Sequence, residues 1–131
     1  IILPDTGAYT LQHVHSADIA SLISRCIDMP EKSAGQVFHS TAPEAMTFRG
    51  FAELLYVKFG REPKLRFLPW ERFAEALTRE DADCTYDHVR HSPVCSMEKA
   101  RFILGFEPVF NAFETVLDAL SWQIENGFLR V

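Results

Sequence analysis

The chain has 131 residues, 47% of them hydrophobic, which is enough to bury one core and too few for two ordinary domains. A net charge of −5 gives no clustered basic face of the kind that binds nucleic acid, so a nucleic-acid partner is not expected. Three cysteines and eleven phenylalanines describe a core that does not need disulfides, which fits a reducing cytoplasm. The longest apolar runs are a few residues, far below the roughly 20 that cross a bilayer, so a soluble, cytoplasmic protein without a membrane partner is expected.

Residues 1–8 read as an entering loop, with Pro4 and Gly7 as breakers and Asp5 as a turn former. The alternation of Tyr9, Leu11, His13 and His15 with Thr10, Gln12 and Val14 predicts a strand over 9–15. Ser16 is then the expected N-cap of a helix with Asp18 in its first turn, where a carboxylate complements the helix dipole. Ile19, Leu22, Ile23, Cys26 and Ile27 form one apolar stripe on that helix, which Pro30 ends.

Gly35 to His39 is a short strand candidate. Thr47 is the expected cap of a helix carrying Phe48, Phe51, Leu55 and Phe59 toward one face, stopped by Gly60. Lys64 to Leu68 alternates between prolines 63 and 69 and predicts a third strand, followed by a helix over Trp70 to Leu77. Residues 78–95 are polar and without a sustained period, so they read as a loop with one helical turn at most. Ser96 opens a helix that Gly105 closes. Asn111 with Glu114 approaches a capping box ahead of the stripe Phe113, Val116, Leu117, Leu120 and Ile124, which ends at Gly127. The expected architecture is mixed α/β and mainly helical, with about five helices and three short strands.

Two segments carry a resemblance. One is Tyr9-Thr-Leu-Gln-His-Val-His-Ser-Ala-Asp-Ile-Ala20; the other is Ser96-Met-Glu-Lys-Ala-Arg-Phe-Ile-Leu-Gly-Phe-Glu-Pro108. Together they resemble the two ends of the carboxyl-terminal substrate domain of the extended short-chain dehydrogenase/reductases, the NAD-dependent epimerase/dehydratase family. The first matches a strand running through a His into a helix with an early Asp. The second matches Lys-Ala-x-x-x-Leu-Gly-(aromatic)-x-Pro at Lys99, Ala100, Leu104, Gly105, Phe106 and Pro108. The resemblance spans residues 9 to 127.

The family's cofactor grip is not in this chain. No strand is followed by a glycine-rich turn that lets a backbone approach a pyrophosphate. No Tyr-x-x-x-Lys pair exists either, since Tyr9, Tyr56 and Tyr86 are followed four residues on by His13, Gly60 and Arg90. The resemblance therefore implies one domain over 1–131, the substrate-binding back half of an enzyme lacking the complete Rossmann sheet. It implies that NAD or NADP and the catalytic pair belong to an amino-terminal cofactor domain, the expected partner. This chain alone is expected to hold no cofactor and no catalytic residue. A homodimer is also expected, through apolar surface at residues 1–3, the 9–15 strand edge and the 102–113 segment.

By the same resemblance, His15 belongs to the strand-to-helix joint and is expected to hydrogen bond to backbone, whereas His13 lies nearer the substrate. Leu11 stands near a position where nucleotide-sugar enzymes place an Arg for the diphosphate, and Leu offers neither charge nor donor. The family's Arg-x-Gly-Asp segment has its nearest match at Arg79-Glu80-Asp81, without the Gly. Trp70 follows the third strand and can stack on a sugar or base, or else anchor its helix to the core. The implied substrate-binding residues are His13, Trp70, Arg79, His88 and His91, facing a sugar-like substrate. Cys84, His88, His91 and Cys95 could in principle hold zinc, but they lack the Cys-x-x-Cys pairing that places such ligands, and no metal is expected. The competing reading of the whole chain is a self-sufficient helical binding or interaction module without catalysis.

Overall fold

The computed structural model describes residues 1–130. They form a mixed, mainly helical structure: seven helices and four short strands in two two-stranded sheets, with no complete Rossmann sheet among the described residues. No helix among them is long and apolar enough to cross a membrane. The contacts divide the chain into two compact units, one of Ile1–Leu11 with Met46–Val94, the other of Gln12–Ala45 with the segment from Cys95 onward.

The first unit is built on two strand pairs. β1 (Ile2–Pro4) lies parallel to β4 (Arg66–Leu68), with Leu3 opposite Phe67. β2 (Thr10–Leu11) lies antiparallel to β3 (Met46–Thr47), with Leu11 opposite Met46. The segment expected to be an entering loop thus supplies a strand, because Ile2 and Leu3 find partners more than sixty residues on that no local signal announces. Conversely, the strand expected over 9–15 makes a ladder only at Thr10 and Leu11. Gly7 adopts φ +67°, and a Cβ there would meet Leu3, Arg49 and Phe67 at 3.1 to 3.3 Å, so the turn needs glycine on two counts.

α3 (Phe48–Lys58) begins at Thr47, whose hydroxyl accepts the Gly50 N–H at 3.0 Å, and Gly60 follows its end with φ +61°. α4 (Trp70–Ala74) is shorter than the helix expected over 70–77. α5 (Arg79–His91) replaces the expected 78–95 loop. Its hydrophobic signal is faint because the inward face consists of Ala82, Thr85, His88 and Val89, of which only Val89 is fully buried. Its termini are nonetheless well specified. The Thr78 hydroxyl accepts the Asp81 N–H at 3.1 Å, Glu80 and Asp81 sit in the first turn, and His88, Arg90 and His91 sit in the last.

The second unit packs α1 (Ser16–Asp28), α2 (Pro30–Ser33) and α6 (Glu98–Leu104) around Leu22, Met97, Ala100, Leu104 and Phe106. Pro30 does not merely end α1 but opens α2 at its first turn. The cap of α1 is His15 rather than Ser16: its imidazole Nδ1 accepts the Ala17 N–H at 3.1 Å. The apolar stripe on α1 splits in two. Leu22 is buried and Cys26 half-buried, whereas Ile19, Ile23 and Ile27 face outward. α7 (Ala112–Glu125) starts with the capping box of Asn111 and Glu114, and its stripe from Phe113 to Ile124 is half-buried as the spacing predicts.

The candidate strand at Gly35 to His39 makes no ladder. Gln36 donates to Ser33 O in a turn, and Phe38 packs against the core. The backbone of residues 37–40 joins no other backbone group among the described residues.

Candidate functional site

Within the second unit, the helix that the first of these segments opens is bonded to the loop that follows the second. Asp18 is 2% exposed, and its two carboxylate oxygens accept the backbone N–H groups of Val109 at 2.9 Å and Phe110 at 3.1 Å. A carboxylate takes two amides at once because each oxygen is an acceptor, which offsets the cost of burying it. The loop it holds follows directly on Lys99-Ala100 and Leu104-Gly105-Phe106-Glu107-Pro108. Gly105 ends α6 with φ +61°, and Arg25 Nη1 donates to Leu104 O at 3.1 Å. Arg101 pairs with both Glu107 and Glu98 on the exposed side of that loop, which holds the Glu107 carboxyl below the ordinary carboxylate range.

His15 sits at the same joint. Its ring stacks on Phe110 with centroids 3.8 Å apart, and because Nδ1 accepts from Ala17, the ring proton lies on Nε2 and points to Asp118 Oδ2 at 3.2 Å. Its expected backbone role is thus observed. Beside it, Val109, Phe110, Glu114, Leu117, Asp118 and Ser121 line an open depression of about 390 Å³.

Gln12 fixes the entry to α1 from the other side. Its amide Nε2 donates to Ala42 O and to Cys95 O, each at 3.0 Å, and its Oε1 accepts the Cys95 N–H at 2.7 Å. One side chain thereby closes three strands of chain onto one another. Glu44 Oε1 accepts the Ala112 N–H at 2.9 Å, adding a second cap to α7.

In the first unit, four of the five residues implied as substrate contacts lie on or against α5. Trp70 packs its indole on Tyr86 at 5.2 Å and Phe73 at 5.8 Å, so the ring anchors α4 to α5. His88 is half-buried: Nε2 donates to Thr10 O at 3.0 Å and the ring stacks on Phe48 at 5.9 Å. His91 is exposed, with Nδ1 2.7 Å from Asp87 O. Arg79 is 96% exposed along its side chain and only 3.9 Å from Asp83. Nine residues of helix, about 13 Å at 1.5 Å per residue, separate Arg79 from His88, so α5 does not bring them together. His13 is an exposed residue between β2 and α1.

Asp5 has a role that its reading as a turn former missed. With φ 48°, it takes the Trp70 N–H on Oδ1 at 3.0 Å and the Tyr9 hydroxyl on Oδ2, while its own N–H reaches Leu68 O. The hydrogen bond to Asp5 pushes the Tyr9 phenol above its ordinary range. The sequence shows Pro4 and Gly7 as breakers and Asp5 as a turn former, and nothing of these partners. No group of three His, Cys, Asp or Glu side chains among the described residues is arranged to hold a metal ion. Scans against protein-family models and among curated proteins give no match.

Proposed function

We propose that this chain is the substrate-binding part of an NAD(P)-dependent epimerase, dehydratase or reductase of the extended short-chain dehydrogenase/reductase type, acting on a sugar-like substrate. The observation that supports this reading most is the Asp18 carboxylate bonded to the N–H groups of Val109 and Phe110. It explains in one contact why an early helical Asp and a Leu-Gly-aromatic-x-Pro loop occur in the same sequence. The nicotinamide cofactor would supply the hydride chemistry from the cofactor domain. The residues of this chain would orient the substrate through hydrogen bonds to its hydroxyl or phosphate oxygens, the role that the resemblance implies for His13 and Arg79.

The test is the reading frame that encodes Ile1. A strand, a glycine-rich turn and a Tyr-x-x-x-Lys pair preceding Ile1 are expected, and the protein so extended should bind NADH or NADPH stoichiometrically. His13→Ala and Arg79→Ala should then raise KM by roughly three- to tenfold with cofactor affinity unchanged, since each removes about one hydrogen bond to substrate. A frame without the fingerprint, or an extended protein blind to both nucleotides, would refute the proposal.

A further inference from the structure

The first unit contains a pocket of about 250 Å³, open to solvent, between β1, β2 and α3. Its walls are Ile1, Leu3, Leu11, Phe48, Phe51 and Leu55, and its floor is Ala52, only 3% exposed. Every one of these side chains is hydrocarbon. Four come from α3, Phe48, Phe51, Ala52 and Leu55, on the face that the Thr47 cap orients. Leu11 is held by its place opposite Met46 in the β2–β3 ladder.

We infer that this pocket binds the aryl or short alkyl group of a small molecule. Lining side chains that offer no donor, acceptor or charge cannot compensate the desolvation of a phosphate or hydroxyl, which costs several kcal/mol when left unpaired. Apolar surface entering it is released from water without that penalty. The volume selects the size of the occupant. A dry cavity of about 150 Å³ admits benzene, so a volume of about 250 Å³ accommodates a ring with a short alkyl arm. Leu11 decides the specificity. Where an arginine at this wall would draw an anion, leucine closes the wall with methyl groups. If the proposed function holds, and this link rests on that reading, the substrate presents an apolar end to the first unit where nucleotide-sugar enzymes meet a diphosphate.

The experiment needs only the 131-residue chain and no cofactor, so its failure is separate from failure of the proposed function. Methyl-labelled protein is titrated with n-butylbenzene, with indole and, in a parallel arm, with UDP-glucose. Saturable shifts of the Leu3, Leu11 and Leu55 methyls by the two apolar probes are expected, with the Leu117 and Ile124 methyls of α7 unmoved and UDP-glucose without effect. Leu11→Arg should weaken probe binding roughly tenfold or more, the cost of placing a charge at an apolar contact, and Ala52→Leu should block it by filling the floor. Should either variant unfold, intermolecular NOEs from butylbenzene to Phe48 and Leu55 in the unaltered chain locate the ligand. Absent shifts, equal shifts in α7, or UDP-glucose acting on these methyls in place of the apolar probes would overturn the assignment.

Discussion

The carboxylate of Asp18 accepts the backbone N–H of Phe110 at 3.1 Å, across a separation of 92 residues, while its other oxygen holds Val109. One buried side chain in the first turn of α1 therefore fixes the approach to α7, and His15 stacks on the same Phe110 to define its ring plane. The joint is specified twice, by a charge-assisted pair of hydrogen bonds and by an aromatic contact.

Asp18→Asn should lower the unfolding free energy by about 2 to 3 kcal/mol, since an amide keeps one acceptor and turns its NH₂ toward an N–H that it cannot satisfy. Asp18→Ala should cost at least as much. Chemical denaturation measures both, and a loss below about 0.5 kcal/mol for either would show that the loop after Pro108 stands without this carboxylate.

Gln12→Ala removes three hydrogen bonds and leaves the Cys95 N–H and the carbonyls of Ala42 and Cys95 without that partner. A loss of about 3 kcal/mol follows, or about 10 °C in Tm for a chain of this size. Gln12→Glu retains the acceptor for Cys95 N–H but sets a carboxylate against two carbonyl oxygens, so it should rescue little. Thermal melts of the two variants that differ from wild type by less than about 2 °C would contradict the clamp.

What the sequence showed and what it hid separate along physical lines. Caps and helix stops are local, and Thr47, Asn111 with Glu114, Gly60 and Gly105 behave as their types require. α5 is hidden because its inward face is built from half-buried Ala82, Thr85 and His88 around one large aliphatic, Val89, which leaves the Thr78 cap as its local signal. β1 was hidden because its partner is β4, and pairing at that separation leaves no periodicity of its own. Of the candidate site, the two motifs were legible, but the network of Asp5, Tyr9 and Trp70 was not, since a turn-forming Asp reveals nothing about which donors it will meet. The candidate strand from Gly35 to His39 has the composition of a strand but pairs with no other segment among the described residues.

That last segment predicts a hydrogen-exchange pattern. Amides 37–40 join no backbone acceptor, so they should exchange near the unstructured rate, whereas the amides of Ala100 and Leu104 inside α6, on the core of their unit, should open only with the fold. Exchange followed by mass spectrometry on peptides spanning the two segments separates them. Protection of 37–40 equal to that of α6 would mean that the extended backbone has found a partner.

Tyr9 predicts an alkaline effect. Its phenol donates to Asp5, and ionisation would set a phenolate against a carboxylate, so the folded-state pKa is raised above the ordinary value of about 10. A raised pKa contributes stability fully present below about pH 10 and lost as the pH climbs through the folded-state value. Tyr9→Phe should therefore be less stable than wild type at pH 8 and approach it above pH 11. In absorbance titrations Tyr9 should ionise late, and Asp5→Asn should bring it back toward the ordinary tyrosine value. A stability gap between wild type and Tyr9→Phe that stays constant from pH 8 to 11 would exclude the hydrogen bond as its source.

Self-association is the last expectation, and it rests on apolar surface that the two units each leave in water. Ile2 on β1 and Ile1 just before it are about half exposed, β1 pairs among the described residues with β4 alone, and Phe102 is 91% and Val109 80% exposed. An unpaired edge beside exposed aliphatic side chains favours pairing between copies. Sedimentation velocity over a range of concentrations should show a reversible shift toward dimer. Ile2→Lys, which places a charge on the strand edge, and Phe102→Ser should each weaken it. Because Phe102 is almost wholly in water, its replacement should change stability by no more than about 0.5 kcal/mol, so weaker association in that variant cannot be blamed on unfolding. A monomer at every concentration would remove these surfaces as contacts between copies. A dimer indifferent to both substitutions would place the contact elsewhere on the chain, with the outward row of Ile19, Ile23 and Ile27 on α1 the next surface to alter.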